Sequence, residues 1–526
     1  MRRNWIAGTL TVVLSGVLAA PLSAQNRPRG LYAKVNIAAE ISSHPDKTPA
    51  ELETYLIGLY QQLLANAAIA GLTIQAHWDE LNPRNPAEPG LTPAEVYNWS
   101  YLSDAFAQAA TWNQDNPNAR PKTIQLIISP GFQSPQWLLD ELPSCDSLFE
   151  SDSFLPPADC GKVTFTGYNE QGDSTELPLP WTSVYKTAWY TFLVSLNNKF
   201  GSNPLFVSIP VSGPTAATEE MIMPNNGNTT NPQVFPGHPI VSLRGVTFSP
   251  PTSISPNAMW LALFQFHYNT GGVPEPAYQN SDQAFIEEWN NAINMYGSIF
   301  SGITLVATTG NGLPNFGTPT APVPTAPIDF TNDCGGVPLT MDCVAETTIL
   351  SYFVASSIGG PNAKAVQTSG VEASRADIAD LGLPGVKVVS EETATFTSAS
   401  NNPASQILGG AQFNQSVKGD PTKEGSSSKY EQALYNVLQS IFTDTQAGFE
   451  YCEPTNMPNA QPAPLNYVQI FSSDVVYAEE NLTGSVDEGT CSNDGYGGTA
   501  TLSAQDQLNQ TDLNLLLISE PVMKLF

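Results

Sequence analysis

The stretch SIPVSGPTAATEEM, from Ser208 to Met221, carries an alternating apolar segment into a Gly-Pro turn and then presents two adjacent carboxylates, Glu219 and Glu220. Only 13% of the 526 residues are charged, so neighbouring acids stand out. A second pair, Glu450 and Glu453, lies in GFEYCEP, where Phe449 and Tyr451 flank the first of the two. Paired carboxyl groups suit cleavage of a glycosidic bond: one protonates the leaving oxygen, and the other acts as nucleophile or base. Side chains of adjacent residues diverge, so Glu219 and Glu220 cannot oppose each other across one bond. A partner from a distant element is required, and Glu450 or Glu453 can supply it.

Other residues fit a site for neutral, hydroxyl-rich ligands. HWDELNP offers Trp78 and Asp79; the indole suits stacking on the apolar face of a sugar ring, or equally packing beneath a loop. SPGFQSPQWLLD brings Gln133 and Trp137 into a Gly-Pro turn, where Gln133 can bond hydroxyls or stabilise the turn. Asn311 in TTGNGLPNF and Gln367 in VQTSGVEAS add polar amides, and Gln469 and Asp474 are further candidates. Glu391 and Glu392 would replace Glu450 if the strand count were off by one. The acidic loops 145–160 and 485–498 lack EF-hand spacing. The four histidines are scattered and no CxxC occurs, so neither a metal site nor a cofactor is expected.

These residues need elements to position them, and the chain alternates strand-like and helix-like segments. Strands are expected at residues 30–38, 71–78, 122–129, 204–211, 302–310, 363–370, 447–454 and 466–476. Thr48 and Glu51 form a capping box around Pro49, and Leu52, Tyr55, Leu56, Leu59 and Leu63 then fall on one helical face. Thr92 and Glu95 form a second box ahead of an expected long helix. Eight strands alternating with helices imply parallel pairing and an α/β fold, a closed (β/α)8 TIM barrel. A doubly wound open sheet is the alternative, but no G-x-G-x-x-G follows a strand. Residues 370–429 could hide the true seventh strand. The final forty or so residues read as a loop and a closing segment.

A basic start at Arg2 and Arg3, an apolar run and LSAQ read as a signal peptide over residues 1–24, leaving 25–526 as a single elaborated barrel domain. The mature protein is then expected to be secreted or periplasmic, with no membrane association after cleavage. The net charge of −29 argues against nucleic acid as a partner. Six cysteines in an exported chain favour disulfides; sequence neighbours suggest Cys145–Cys160, Cys334–Cys343 and Cys452–Cys491, closing loops on the C-terminal face of the barrel.

With those motifs in view, the chain resembles the (β/α)8 glycoside hydrolases of the large retaining superfamily with catalytic Glu on strands four and seven. GLTIQAHWDELNP is similar to their second-strand motif and IQLIISPGFQSPQWL to their third; VSIPVSGPTAATEEM falls where they keep the acid/base, and GFEYCEP where they keep the nucleophile. The resemblance implies Glu220 (or Glu219) as acid/base and Glu450 (or Glu453) as nucleophile. The Asn-Glu pair that usually closes strand four is absent here. The expected function is cleavage of a neutral oligo- or polysaccharide, with carbohydrate as the partner and no cofactor. A non-catalytic carbohydrate-binding barrel is the alternative, and a cell-surface structural protein a third.

Overall fold

The computed structural model describes residues 27–145, 160–166, 174–216, 218–224, 283–313, 364–368, 407–413, 416–419, 429–440, 466–480, 483–490, 497–500 and 502–519, with short pieces at 233–234, 242–243, 246–247, 253–254, 260, 349–350, 352–353 and 427. Eight strands form its centre: β1 (Gly30–Asn36), β2 (Ile69–His77), β3 (Thr123–Ser129), β4 (Phe206–Pro210), β5 (Thr304–Gly312), β6 (Lys364–Thr368), β7 (Ile407–Gln412) and β8 (Tyr467–Phe471). Each pairs in parallel with the next, and β8 pairs in parallel with β1. The sheet therefore curls until its edges meet, as in a (β/α)8 barrel.

Alternation along each strand sorts side chains between two cores. On β1, Leu31, Ala33 and Val35 join the large cluster between sheet and helices, whereas Tyr32 joins a smaller one with Ala70, Val207, Val306, Ala365 and Tyr467. Six different strands supply that smaller cluster, and only the interior of the ring lets them meet. The helix Pro49–Ala65 forms as expected, with both arms of the Thr48–Glu51 capping box made.

Three expectations are corrected. The seventh position in the ring belongs to Ile407–Gln412, not to residues 447–454. ILGGAQ lacks a β-branched run, and its glycines hide the strand; the reason for one is steric, since a Cβ on Gly410 would run into the ring of Tyr467. Glu450 and Glu453 consequently lose their place on strand seven, and both lie outside the described residues. The helix expected after Thr92 is broken: its box closes, but Pro93–Val96 stops, and Ser100–Asp115 starts again. Between them Tyr97 and Trp99 stack at 5.1 Å, with Phe192 beside both, a packing demand that overrides the helical period. The last strand ends at Phe471 and turns at once into the helix Ser472–Glu480.

The expected disulfide Cys145–Cys160 is formed. The other four cysteines and the signal sequence lie outside the described residues. The closing segment at the C-terminus is helical. Its helix Ala504–Ser519 lies against the start of β1, where Asp512 Oδ1 accepts bonds from the Leu31 amide (3.2 Å) and the Arg120 guanidinium (3.0 Å). No helix among the described residues is long and apolar enough to cross a membrane.

Candidate functional site

The loop leaving β4 doubles back over the carboxyl ends of the strands. Ser212 Oγ donates to the Ile128 carbonyl, and Trp289 Nε1 donates to the Pro214 carbonyl at 3.1 Å. The Phe132 amide donates to Ala216 O, and the Ala216 amide donates to Ile222 O at 2.8 Å. Gly213 lies against the Trp289 indole so closely that any Cβ would collide with it. Stitched in this way, the chain forms a short strand, Glu220–Ile222, which pairs with the end of β5 through Thr308 and Gly312. The Gly-Pro turn and the two acids of the opening stretch thus belong to one rigid return.

Glu219 and Glu220 diverge, as adjacent residues must. Glu220 is half-buried and accepts a bond from Gln412 Nε2 of β7 at 2.6 Å. Gln412 Oε1 in turn accepts from Lys34 Nζ of β1 at 3.1 Å. Glu219 is 1% exposed, and its Oε1 has no hydrogen-bond partner. Burial raises its pKa, an effect opposed by the Lys34 ammonium and by the Gln412 amide, which lies close to both acids.

These groups cap a polar belt inside the ring. Register places Lys34 opposite Thr73, Thr73 opposite Gln125, Gln125 opposite Ser208, and Ser208 opposite Thr304, one residue from each of β1 to β5. All five are buried. Gln412 and Gln469 face each other across β7 and β8, and Gln125 Oε1 accepts from both Thr73 Oγ1 and Gln469 Nε2 at 2.7 Å. Barrel interiors are more commonly filled by bulky branched apolar side chains.

The rim after β2 holds a second acidic group. The Glu80 carboxylate accepts from the His77 amide at 3.1 Å, and Asp79 Oδ1 accepts from the Glu80 amide at 2.9 Å. Burial pushes Glu80 up to about 7, raises Asp79 as well, and lowers His77 to about 4, so that the imidazole is neutral at neutral pH.

The remaining expected residues divide. Trp78 is fully buried: its ring meets Trp189 at 4.7 Å, and its Nε1 donates to Asn82 Oδ1 at 3.3 Å. It packs beneath the rim, and the stacking alternative is overturned. Trp137 is half-buried, with Nε1 donating to the Asn82 carbonyl at 2.9 Å, and Gln133 is half-buried in the turn Gly131–Gln133. Asn311 and Gln367 lie towards the carboxyl ends of β5 and β6. Asp474 acts on the fold: its carboxylate accepts from Ser416 Oγ and the amides of Val417 and Lys418, pinning the loop after β7 to the helix after β8. Sequence reasoning missed Lys34 and Gln412. The signal for Lys34 was present, since in GLYAKVN it is the one charge within an otherwise buried strand. No group of three or more His, Cys, Asp or Glu among the described residues could hold a metal ion.

The fold and rim together define an α/β protein with an eight-stranded, parallel, curled sheet and acidic side chains at the carboxyl ends of its strands. No protein-family model matches the chain, and neither does any curated protein. Among solved structures, the catalytic domain of beta-amylase from Paenibacillus polymyxa is similar with a TM-score of 0.36 and 12% identity, over 85% of this chain and 94% of that one.

Proposed function

We propose that the protein is an exported glycoside hydrolase acting on a neutral oligo- or polysaccharide, with Glu220 as the acid/base at the barrel mouth. The observation that carries this reading is the rim itself. Glu220 is held at the carboxyl ends of the strands by Gln412, and a second, buried carboxyl adjoins it. Polar groups converging at that end of a parallel barrel are the arrangement on which such folds build their chemistry. Glu450, or Glu453, is the proposed opposing carboxylate. Trp137, Gln133, Asp79, Asn311 and Gln367 are proposed to line the sugar subsites.

The test is a screen of chromogenic glycosides with the purified protein, followed by E220Q and E450Q on any substrate turned over. Loss of on the order of a hundredfold or more in E220Q is expected for a group that transfers the proton. Full turnover in E220Q refutes the assignment. Carbohydrate binding without turnover of any substrate would establish the non-catalytic barrel instead.

A further inference from the structure

Lys34 lies inside the ring, on a strand whose other residues are uncharged. It is 8% exposed, although lysine is among the residues least often buried without a partner. Its ammonium donates to Gln412 Oε1 at 3.1 Å and stands 5.3 Å from the centre of the Phe471 ring. An ammonium can only donate, so this bond fixes which end of the Gln412 amide faces β1. The Nε2 end must then face the other way, where it meets Glu220 at 2.6 Å. Without the lysine the two ends of the amide are nearly isosteric, and the flipped amide would set its oxygen against the Glu220 carboxylate. That contact is repulsive.

The lysine has a second neighbour. Glu219 is buried with one oxygen unpartnered, and an isolated buried carboxylate is costly. Lys34 lowers its pKa, as does Gln412; the phenols of Tyr296 and Tyr467 also lie within electrostatic range of it. The cation acting on Glu219 is Lys34. One ammonium on β1 therefore acts on both acids of the return loop, on one through space and on the other through an amide.

We propose that Lys34 is a positioning residue: through Gln412 it sets the direction of the Glu220 carboxylate at the barrel mouth, and it supplies the counter-charge for Glu219. The inference rests on the glycosidase reading for its catalytic consequence, but not for its electrostatic one. The test uses K34M, K34R, Q412M and E219Q in the full chain, with two readouts. The first is the protonated-carboxyl infrared band that E219Q removes, followed across pH. K34M is expected to move its midpoint upward, and K34R to restore it. The second is turnover on a substrate found by the glycoside screen. K34M and Q412M are each expected to lower it by on the order of tenfold or more, with the double variant no worse than either alone. Q412M keeps the ammonium in place, so it tests the relay even if K34M fails to fold. An unmoved infrared midpoint in K34M, or wild-type turnover in Q412M, overturns the proposal. If E220Q turns over substrate normally, the assignment of Glu220 as acid/base fails by itself, and the infrared midpoint still decides the role of Lys34.

Discussion

Replacing Trp78 by alanine separates a core residue from a ligand platform. The side chain is fully buried, with the ring of Trp189 at 4.7 Å and those of Tyr185 and Phe192 both at 5.9 Å. Truncating a buried Trp to Ala costs about 3–5 kcal/mol, because transfer free energy is lost and the cavity closes only in part. Trp78 also satisfies Asn82 Oδ1, while the amide nitrogen of Asn82 donates to the Arg84 and Val96 carbonyls. Those two bonds hold Asn82 in place, so its oxygen would be stranded, adding about 1 kcal/mol. W78A should therefore lose about 5 kcal/mol. W78F keeps most of the apolar area and should lose about 1–2 kcal/mol, chiefly the hydrogen bond. The assay is urea unfolding read by Trp fluorescence and by far-ultraviolet dichroism, with the midpoint and slope fitted for each variant. A W78A midpoint equal to wild type, together with weakened carbohydrate binding, would refute the packing argument and restore the stacking one.

Asp474 should give a pH signature of inverted sign. Burial raises it from 3.8 to about 6 in the folded protein, so between those values the folded state holds the proton more tightly, and stability falls as pH rises through that window. At 1.36 kcal/mol per pH unit the full effect is about 3 kcal/mol, and D474N should remove it from urea midpoints compared between pH 4 and 6.5; parallel curves for the two proteins would contradict this. The Cys145–Cys160 bond closes a separation of 15 residues, so C145S/C160S should lose about 3 kcal/mol, read by thermal unfolding with and without reductant. G410A should displace the Tyr467 ring and cost about 1–3 kcal/mol, and an unchanged unfolding midpoint would show that the ring moves aside freely.

What the sequence displayed was periodicity. The run LYAKVN and the continuous apolar segment of β3 announced buried strands, and the Thr48–Glu51 box announced where its helix begins. What it concealed were demands set by distant neighbours. Gly410 is in β7 because Tyr467 of β8 occupies the space a side chain would need, and glycine in a strand reads as a break. The interruption at Tyr97 answers to rings on another helix, and no local pattern foretells it. The site shows the same division. The acids of the return loop were visible because charge is scarce in this chain. The pairing of Lys34 with Gln412 was not, because the two are 378 residues apart and become neighbours only when the ring closes.

Ring closure is also what places Glu220. Its backbone is registered to Thr308 of β5, and its side chain is held by Gln412 of β7. These strands are not neighbours: β6 lies between them, with Thr308 opposite Gln367 and Gln367 opposite Gly410. The carboxylate thus spans β6 like a strap, anchored on both sides, and its position reports the spacing of three strands at once. A shift of one strand by a fraction of an ångström would pull the backbone and the carboxylate in different senses, and a 2.6 Å bond between an amide and a carboxylate leaves little slack. The polar belt below supplies the stiffness this requires. Gln125 bonds both Thr73 and Gln469, tying β3 to β2 and to β8 across the interior, where apolar side chains would pack without fixing a direction. Directional bonds inside the ring and a strapped acid above it are two parts of one device for holding a carboxylate still.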